Sequence, residues 1–373
     1  MKKKYTLRTL SLLSCVLMLF FIASCKKDSK KPGGGGPGPV TATPTKLGVY
    51  AVDSSIYKLL LMSITKVGTQ AVNLDLVYDT GSGGLVIDAA GVLPASMIGA
   101  NGFTFTGDST IVDGITITNQ TDIIEYGDDN NTTDKVYGNL AYGDVTIGDN
   151  KGNITVKRLP FFIYYKAVDS KGNKLPAHDF DVLGVSQEYD ITFANNAFIT
   201  SPFSYFDPGT GLTKGFKMAA IPQSSYSFQG TYVPAISLGL TDDDLGAAGG
   251  FTMSTLSFFQ GEGWVPIIPA TITYNGKTFN ADVLFDTGTE PYNYIEDPTG
   301  APTPTLLGNG VTVTTALNSG FNYAFTTTPT DYLSYVENPT NSGSNVTVMS
   351  LEFFLNNQYL LDFTNHKLGL KKD

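Results

Sequence analysis

The chain has 373 residues, 42% of them hydrophobic, 12% aromatic and only 16% charged, with 40 Gly and 19 Pro. That is the composition of a folded polypeptide, not a disordered one. Eight of the 24 basic residues and a single acid, Asp28, fall within residues 1–36, so the remainder carries 33 acids against 16 bases, a net charge of −17. A field of that sign excludes nucleic-acid partners and polybasic attachment to anionic lipid. Only two His are present, His178 and His366. A three-His zinc centre is therefore excluded, and any His-dependent triad would have to use one of the two.

At the N-terminus, Lys2, Lys3, Lys4 and Arg8 precede an apolar run from Leu10 to Ile22. The run is short for a bilayer span and has the right length for the hydrophobic region of a secretory signal. It ends Ile22-Ala23-Ser24-Cys25, with small residues before a Cys, and this resembles the lipobox of bacterial lipoproteins. The resemblance implies a signal peptide over 1–24, cleavage before Cys25, and lipidation of the Cys25 thiol. The protein would then be anchored to a bacterial envelope membrane, expected to be the outer membrane on its periplasmic or cell-surface side. With Cys15 discarded and Cys25 acylated, the folded body contains neither thiol nor disulfide. Residues 25–46 include a Lys-, Gly- and Pro-rich stretch with the run Gly33 to Gly36, read as a flexible tether.

From Leu47 onward, short apolar or alternating stretches rich in Val, Ile, Thr, Tyr and Phe are separated by Gly, Asn, Asp and Pro. This pattern predicts an all-β protein. Predicted strands include Leu59 to Lys66, Leu74 to Tyr78, Ile111 to Thr118, Asp144 to Gly148, Leu159 to Tyr165, and Ala270 to Tyr274 followed by the hairpin signal Asn275-Gly276. The chain also repeats itself. Leu76-Val77-Tyr78-Asp79-Thr80-Gly81-Ser82 returns as Val283-Leu284-Phe285-Asp286-Thr287-Gly288-Thr289, and upstream of each copy lies a strand, a Gly (Gly68 or Gly276) and a second strand. Two related β lobes are expected, 47–215 and 216–373.

The repeat fits hydrolysis by paired carboxylates. An apolar strand buries an Asp at its end, the Gly permits close backbone approach, and the Thr hydroxyl can lock two such loops together. The following Ser82 or Thr289 can hydrogen-bond the carboxylate from its outer side. If the loops meet across a pseudo-twofold axis, Asp79 and Asp286 cannot both ionise and share one proton. Such a pair can activate a water against a peptide carbonyl without metal, cofactor, Ser or His. The acidic run Asp128 to Asp134 lacks the spaced ligands of a calcium loop, Asp242-Asp243-Asp244 reads as a solvated turn or helix start, and no metal is expected at either.

At these residues the chain resembles the pepsin-like aspartic peptidases. Ile124-Glu125-Tyr126-Gly127 followed by Gly138 to Gly148 looks like the flap hairpin of that family, which implies that Tyr126 and Gly127 cover the substrate. Val182-Leu183-Gly184 is similar to the segment that supports the first catalytic loop. Val348 to Leu370 resembles the closing segment, with Phe353, Asp362 and Gly369 at its characteristic positions. The resemblance implies a bilobal pepsin-like fold with Asp79 and Asp286 as catalytic residues, supported by Thr80, Gly81, Ser82, Thr287, Gly288 and Thr289. It also implies a peptide or protein substrate and a monomer.

Four departures accompany it. The flap tip is long and acidic, Val86 stands where a Trp braces the flap tyrosine, Ser350 replaces a Gly, and Glu290 follows the second triplet as a like charge able to raise the dyad's pKa values. An aspartic endopeptidase is the first reading. A catalytically inactive lipoprotein of the same fold that binds peptide, inhibitor or glycan is the second, and a β-sandwich adhesin whose triplets are coincidental is the third.

Overall fold

The computed structural model describes residues 42–54, 57–127 and 133–373. Cys25, the signal and the tether up to residue 41, and Asp128, Asp129, Asn130 and Asn131 of the expected flap tip lie outside the described residues.

The architecture is all-β and bilobal, as the alternating pattern predicts. One lobe is built around Lys58–Val67 and Gln70–Asp79, an antiparallel hairpin turned at Gly68 and Thr69. The other is built around Ile268–Tyr274 and Lys277–Phe285, turned at Asn275-Gly276. Asn275 and Gly276 both have positive φ, 47° and 75°, the backbone that a two-residue hairpin turn requires and that this dipeptide tolerates. Each hairpin ends in one of the Asp-Thr-Gly triplets.

The lobes repeat more than the hairpin. In the first, Val182–Val185 runs parallel to Gln70–Asp79 and antiparallel to Gly83–Asp88, and Gly83–Asp88 runs parallel to Gly152–Val168. In the second, Val346–Met349 runs parallel to Lys277–Phe285 and meets Asn293–Glu296 antiparallel at Tyr294, and Asn293–Glu296 runs parallel to Ser334–Glu337. Mixed pairing of this kind wedges a third strand between the two that flank each triplet.

The two lobes are joined by sheet as well as by chain. Fourteen strands form one continuous sheet in which Thr45–Asp53, Thr231–Leu240, Thr213–Met218, Asn357–Asp362 and Lys367–Lys372 are successive neighbours. The second lobe's own sheet has eight strands. The division expected at 215/216 falls inside the strand Thr213–Met218, and the closing strands of the chain return to the larger sheet. One predicted strand is also corrected. Ile111 to Thr118 is two strands, Ser109–Val112 and Ile115–Tyr126, paired across Asp113 and Gly114 with positive φ at both. An Asp-Gly pair turns the chain where apolar alternation alone reads straight through.

The acidic run Asp242-Asp243-Asp244 starts a short helix. Thr241 caps it and Asp244 closes a capping box, an arrangement that satisfies two free backbone N–H groups. Asp244 also pairs with Lys217.

In the second lobe the core is aromatic. Phe353 is fully buried, with its ring centroid 4.2 Å from that of Phe285 and 4.9 Å from that of Tyr323, edge-on to the latter. Phe353→Ala should therefore cost about 3–5 kcal/mol of folding stability, the usual range for emptying a well-packed aromatic site. Urea unfolding would measure it, and a loss below 1 kcal/mol would mean the site collapses around the cavity.

Candidate active site

Asp79 is the last residue of Gln70–Asp79, and Asp286 follows directly on Lys277–Phe285. The apolar residues before them, Leu76 and Tyr78 in one strand and Leu284 and Phe285 in the other, are buried and draw each Asp inward. Both carboxylates are at most 1% exposed. The strands bring the two loops face to face, so the β-sandwich reading, which needed the triplets apart, is removed.

The loops are cross-linked through their threonines. Thr80 N–H donates to Thr287 Oγ1 at 3.0 Å, and Thr287 N–H donates to Thr80 Oγ1 at 3.0 Å. In turn the Thr80 hydroxyl donates to Phe285 O at 2.9 Å and the Thr287 hydroxyl to Tyr78 O at 2.6 Å. Every bond crosses from one loop to the other. Each net bond contributes about 0.5–1.5 kcal/mol, and each buried partner left unpaired would cost about 1–3 kcal/mol.

Each carboxylate is then held in the same way on both sides of the axis. Asp79 Oδ1 accepts Gly81 N–H at 2.7 Å, and its Oδ2 accepts the Ser82 hydroxyl at 2.6 Å. Asp286 Oδ1 accepts Gly288 N–H at 2.7 Å, and its Oδ2 accepts the Thr289 hydroxyl at 2.5 Å. The glycines are required by the approach. A Cβ on Gly81 would lie 2.5 Å from Asp286 Cγ, and one on Gly288 would lie 2.8 Å from Asp79 Cγ.

Burial, then the charge of Asp286 and a hydrogen bond to it, push the Asp79 carboxyl well above the usual carboxylate range, against the lowering effect of Ser82. The charges that act most on Glu290 are those of Glu352 and Lys58.

The supporting elements differ between the lobes. Gly184 sits opposite Asp79 in the ladder, and a Cβ there would lie 2.7 Å from Ser82 Oγ. At the corresponding place Ser350 is accommodated, fully buried, with its N–H on Asn293 Oδ1 at 2.9 Å and its own hydroxyl without a partner.

Tyr126 ends the strand Ile115–Tyr126 and Gly127 follows with φ 135°. The Tyr126 ring does not stand free. It is 4% exposed, stacked on Phe180 at 5.4 Å, and packed in an apolar cluster with Val86, Ile124, Val136, Phe162 and Val182. Among the described residues its hydroxyl has no hydrogen-bond partner. Burial, then the Asp190 and Asp79 charges, oppose its ionisation.

Two features near the loops had no signal in the sequence. Behind the first loop, buried Asp181 accepts Asp88 N–H at 2.7 Å and faces His178 Nδ1 at 2.8 Å, and Asp88 Oδ2 accepts His178 N–H at 3.1 Å. Beside the second loop, Lys58 Nζ lies 3.7 Å from Glu352 Oε1. Asp88 lies some ninety residues from Asp181 and His178, and Lys58 is almost three hundred from Glu352, so no local motif announces either group. His366, the other histidine, stacks on Trp264 at 3.8 Å. Among the described residues no group of three or more His, Cys, Asp and Glu could hold a metal ion.

A pair of loops meeting in this way, each carrying one buried carboxylate at the end of a strand wedge, is the centre of the bilobal pepsin-like fold, and that is the fold of this chain. The crystal structure of an aspartic proteinase from Irpex lacteus is similar to it, with a TM-score of 0.56 and 16% sequence identity over 87% of this chain and 96% of that one. No protein-family model and no curated protein matches the sequence.

The raised Asp79 carboxyl sets a sign for stability. A carboxyl whose folded pKa lies above its unfolded value is disfavoured in its ionised form, so the native protein loses stability as pH rises past the ordinary carboxylate range. Asp79→Asn keeps the acceptor for Gly81 N–H, and the Ser82 hydroxyl can turn to accept from the amide. The variant should therefore melt higher than the native protein at pH 7 and show no such gain at pH 3. A gain independent of pH would contradict the electrostatic origin.

Proposed function

We propose that this protein is an aspartic endopeptidase tethered to a bacterial envelope. One observation carries the reading, the mirrored hydrogen bonding of Asp79 and Asp286 on loops that exchange threonine bonds.

The pair holds one proton, because burial and mutual repulsion disfavour two charges. A water between the carboxyls gives a proton to the ionised one as its oxygen attacks the peptide carbonyl, and the protonated carboxyl donates to the carbonyl oxygen. Collapse of the resulting diol breaks the C–N bond; the leaving nitrogen takes the proton held by the carboxyl that received it, and one diol hydroxyl returns its proton to the other carboxylate, which restores the one-proton pair. Ser82 and Thr289 keep the outer oxygens occupied, so only the inner faces do chemistry. An extended peptide is the substrate class, bound between the lobes as a strand. Residues 1–24 are the export signal, Cys25 carries the lipid, and the Gly/Pro-rich stretch holds the body away from the bilayer.

Purified protein lacking residues 1–36 should cleave an unfolded protein somewhere between about pH 3 and 7, the range a proton-sharing pair sets. Asp79→Asn and Asp286→Asn should each abolish cleavage as fully as the double variant, since the two groups act as a unit. A statine-type analogue, with a hydroxyl between the carboxylates, should bind the native protein and lose most of its affinity for either variant. Single variants with substantial activity would reject the mechanism. A native protein that stays folded, binds the analogue and cuts nothing would be the inactive binder.

The anchor has its own test. Cys25→Ser should shift the full-length protein from the membrane pellet to the soluble fraction or leave its signal uncleaved, as read by fractionation and N-terminal sequencing. A processed Ser variant that still needs detergent for extraction would reject lipidation.

A further inference from the structure

Around the Asp286 loop the pseudo-twofold relation of the lobes breaks. Gly83, one residue past the first triplet and its Ser, has Glu290 as its counterpart. A Cβ at Gly83 would meet Glu188 O at 2.2 Å, so the first loop has no room for what the second carries. Two residues past Gly184 comes Ser186, and two past Ser350 comes Glu352.

The extra acids close a ring with a lysine from the other lobe. Glu290 lies near enough to Lys58 and Glu352 for both charges to act on its carboxyl. The Lys58 ammonium lies 3.7 Å from Glu352 Oε1, with the two side chains only 11% and 2% exposed. Beside Glu352, Leu351 N–H donates to Thr289 O at 3.1 Å, and Thr289 is the residue whose hydroxyl holds Asp286. The second Glu352 oxygen accepts Tyr332 N–H. Glu290 Oε1 is cut off from solvent and has no hydrogen bond among the described residues. Other ionisable groups face the ring, Tyr226 towards Glu290 and Tyr323, Tyr332 and Asp331 towards Glu352. The ring thus has one cation for two acids.

We propose that Lys58, Glu290 and Glu352 are positioning residues, a proton-gated clamp that ties the Asp286 loop to the first lobe while Glu290 stays neutral and slackens when Glu290 ionises. Its bearing on catalysis rests on the hydrolase reading above, whereas its bearing on loop order does not. Burial, then the Glu352 charge, push Glu290 up to about 8, with Lys58 opposing. Burial pushes Glu352 up to about 7, again against Lys58. Near neutral pH one carboxylate therefore balances one ammonium. Above pH 8 a second anion appears, beside a like charge and with an oxygen that has no donor. That anion sits one residue from Thr289.

The sign follows from the direction of both shifts. An acid whose folded pKa is raised costs nothing below its unfolded pKa, and the cost of ionising it grows until its folded pKa is passed. Glu290→Gln is neutral at every pH and nearly isosteric with the native side chain. It should melt with the native protein at pH 4 and several degrees above it at pH 8.5. In hydrogen exchange corrected for the intrinsic pH effect, the native segment 286–292 should lose at least about tenfold in protection between pH 6.5 and 9, and the Gln variant should keep it. Glu352→Gln, which removes the like charge and leaves Lys58 to Glu290 alone, should move the native melting break to lower pH.

A melting difference that does not change with pH, equal exchange in native and Glu290→Gln protein, or an unmoved break in Glu352→Gln would each overturn the clamp. None of these readings needs turnover. A protein that cleaves nothing would reject the hydrolase reading and leave the clamp to be decided by melting and exchange.

Discussion

Two carboxyl groups that both burial and mutual charge disfavour are held face to face, and the four bonds exchanged by Thr80 and Thr287 make that possible. The exchange is reciprocal. Neither loop can withdraw without leaving a buried N–H and a buried carbonyl unpaired on the other, at about 1–3 kcal/mol apiece. Repulsion within the pair is thereby resisted by backbone groups of both lobes, and the acids contribute their unfavourable term without moving apart. The strand wedges exist in service of this. Val182–Val185 and Val346–Met349 pin the strands on which the triplets end, so strain at the loops is carried into two sheets.

Symmetry explains the shared part of the site, and its failure is equally informative. The Gly81 and Gly288 amides, the Ser82 and Thr289 hydroxyls and the paired threonines are duplicated because each carboxylate poses the same problem of desolvation. One step outward the problem ceases to be shared. On the first side the chain at Ser186 and Glu188 presses against Gly83 and forbids a side chain. On the second side Asn293 takes the N–H of Ser350, and space remains that Glu290 and Glu352 enter. A charged ring can be built only where packing leaves that room, so the asymmetry follows from backbone approach.

How much of this was legible in the sequence depends on the range of the interaction. The triplets, their apolar approach strands and the Asn275-Gly276 turn are local patterns, legible at their own residues. Ile111 to Thr118 looks like one strand in the sequence although Asp113-Gly114 lies inside it, because the alternation on either side of the turn remains in phase. Glu290 is visible in the sequence as a charge beside the second triplet, but its nearness to Lys58 and Glu352, one from the other lobe and one some sixty residues on, is not. The Asp88–Asp181–His178 group was illegible for the same reason, since nothing local distinguishes an Asp that caps a strand from one that meets a histidine ninety residues away.

Tyr126 carries two opposing consequences of burial in one side chain. Its ring packs in the apolar cluster that holds Val86, Phe162, Phe180 and Val182. Burying a side chain of this size gains about 1.5–3 kcal/mol. Leaving a phenol hydroxyl without a partner in the same cluster costs about 1–3 kcal/mol. The two effects are of similar size and opposite sign, so burying this ring stabilises the fold far less than its area alone would. Gly127 follows with φ 135°, a backbone that glycine adopts without strain, so the exit from the strand adds no cost of its own to that balance.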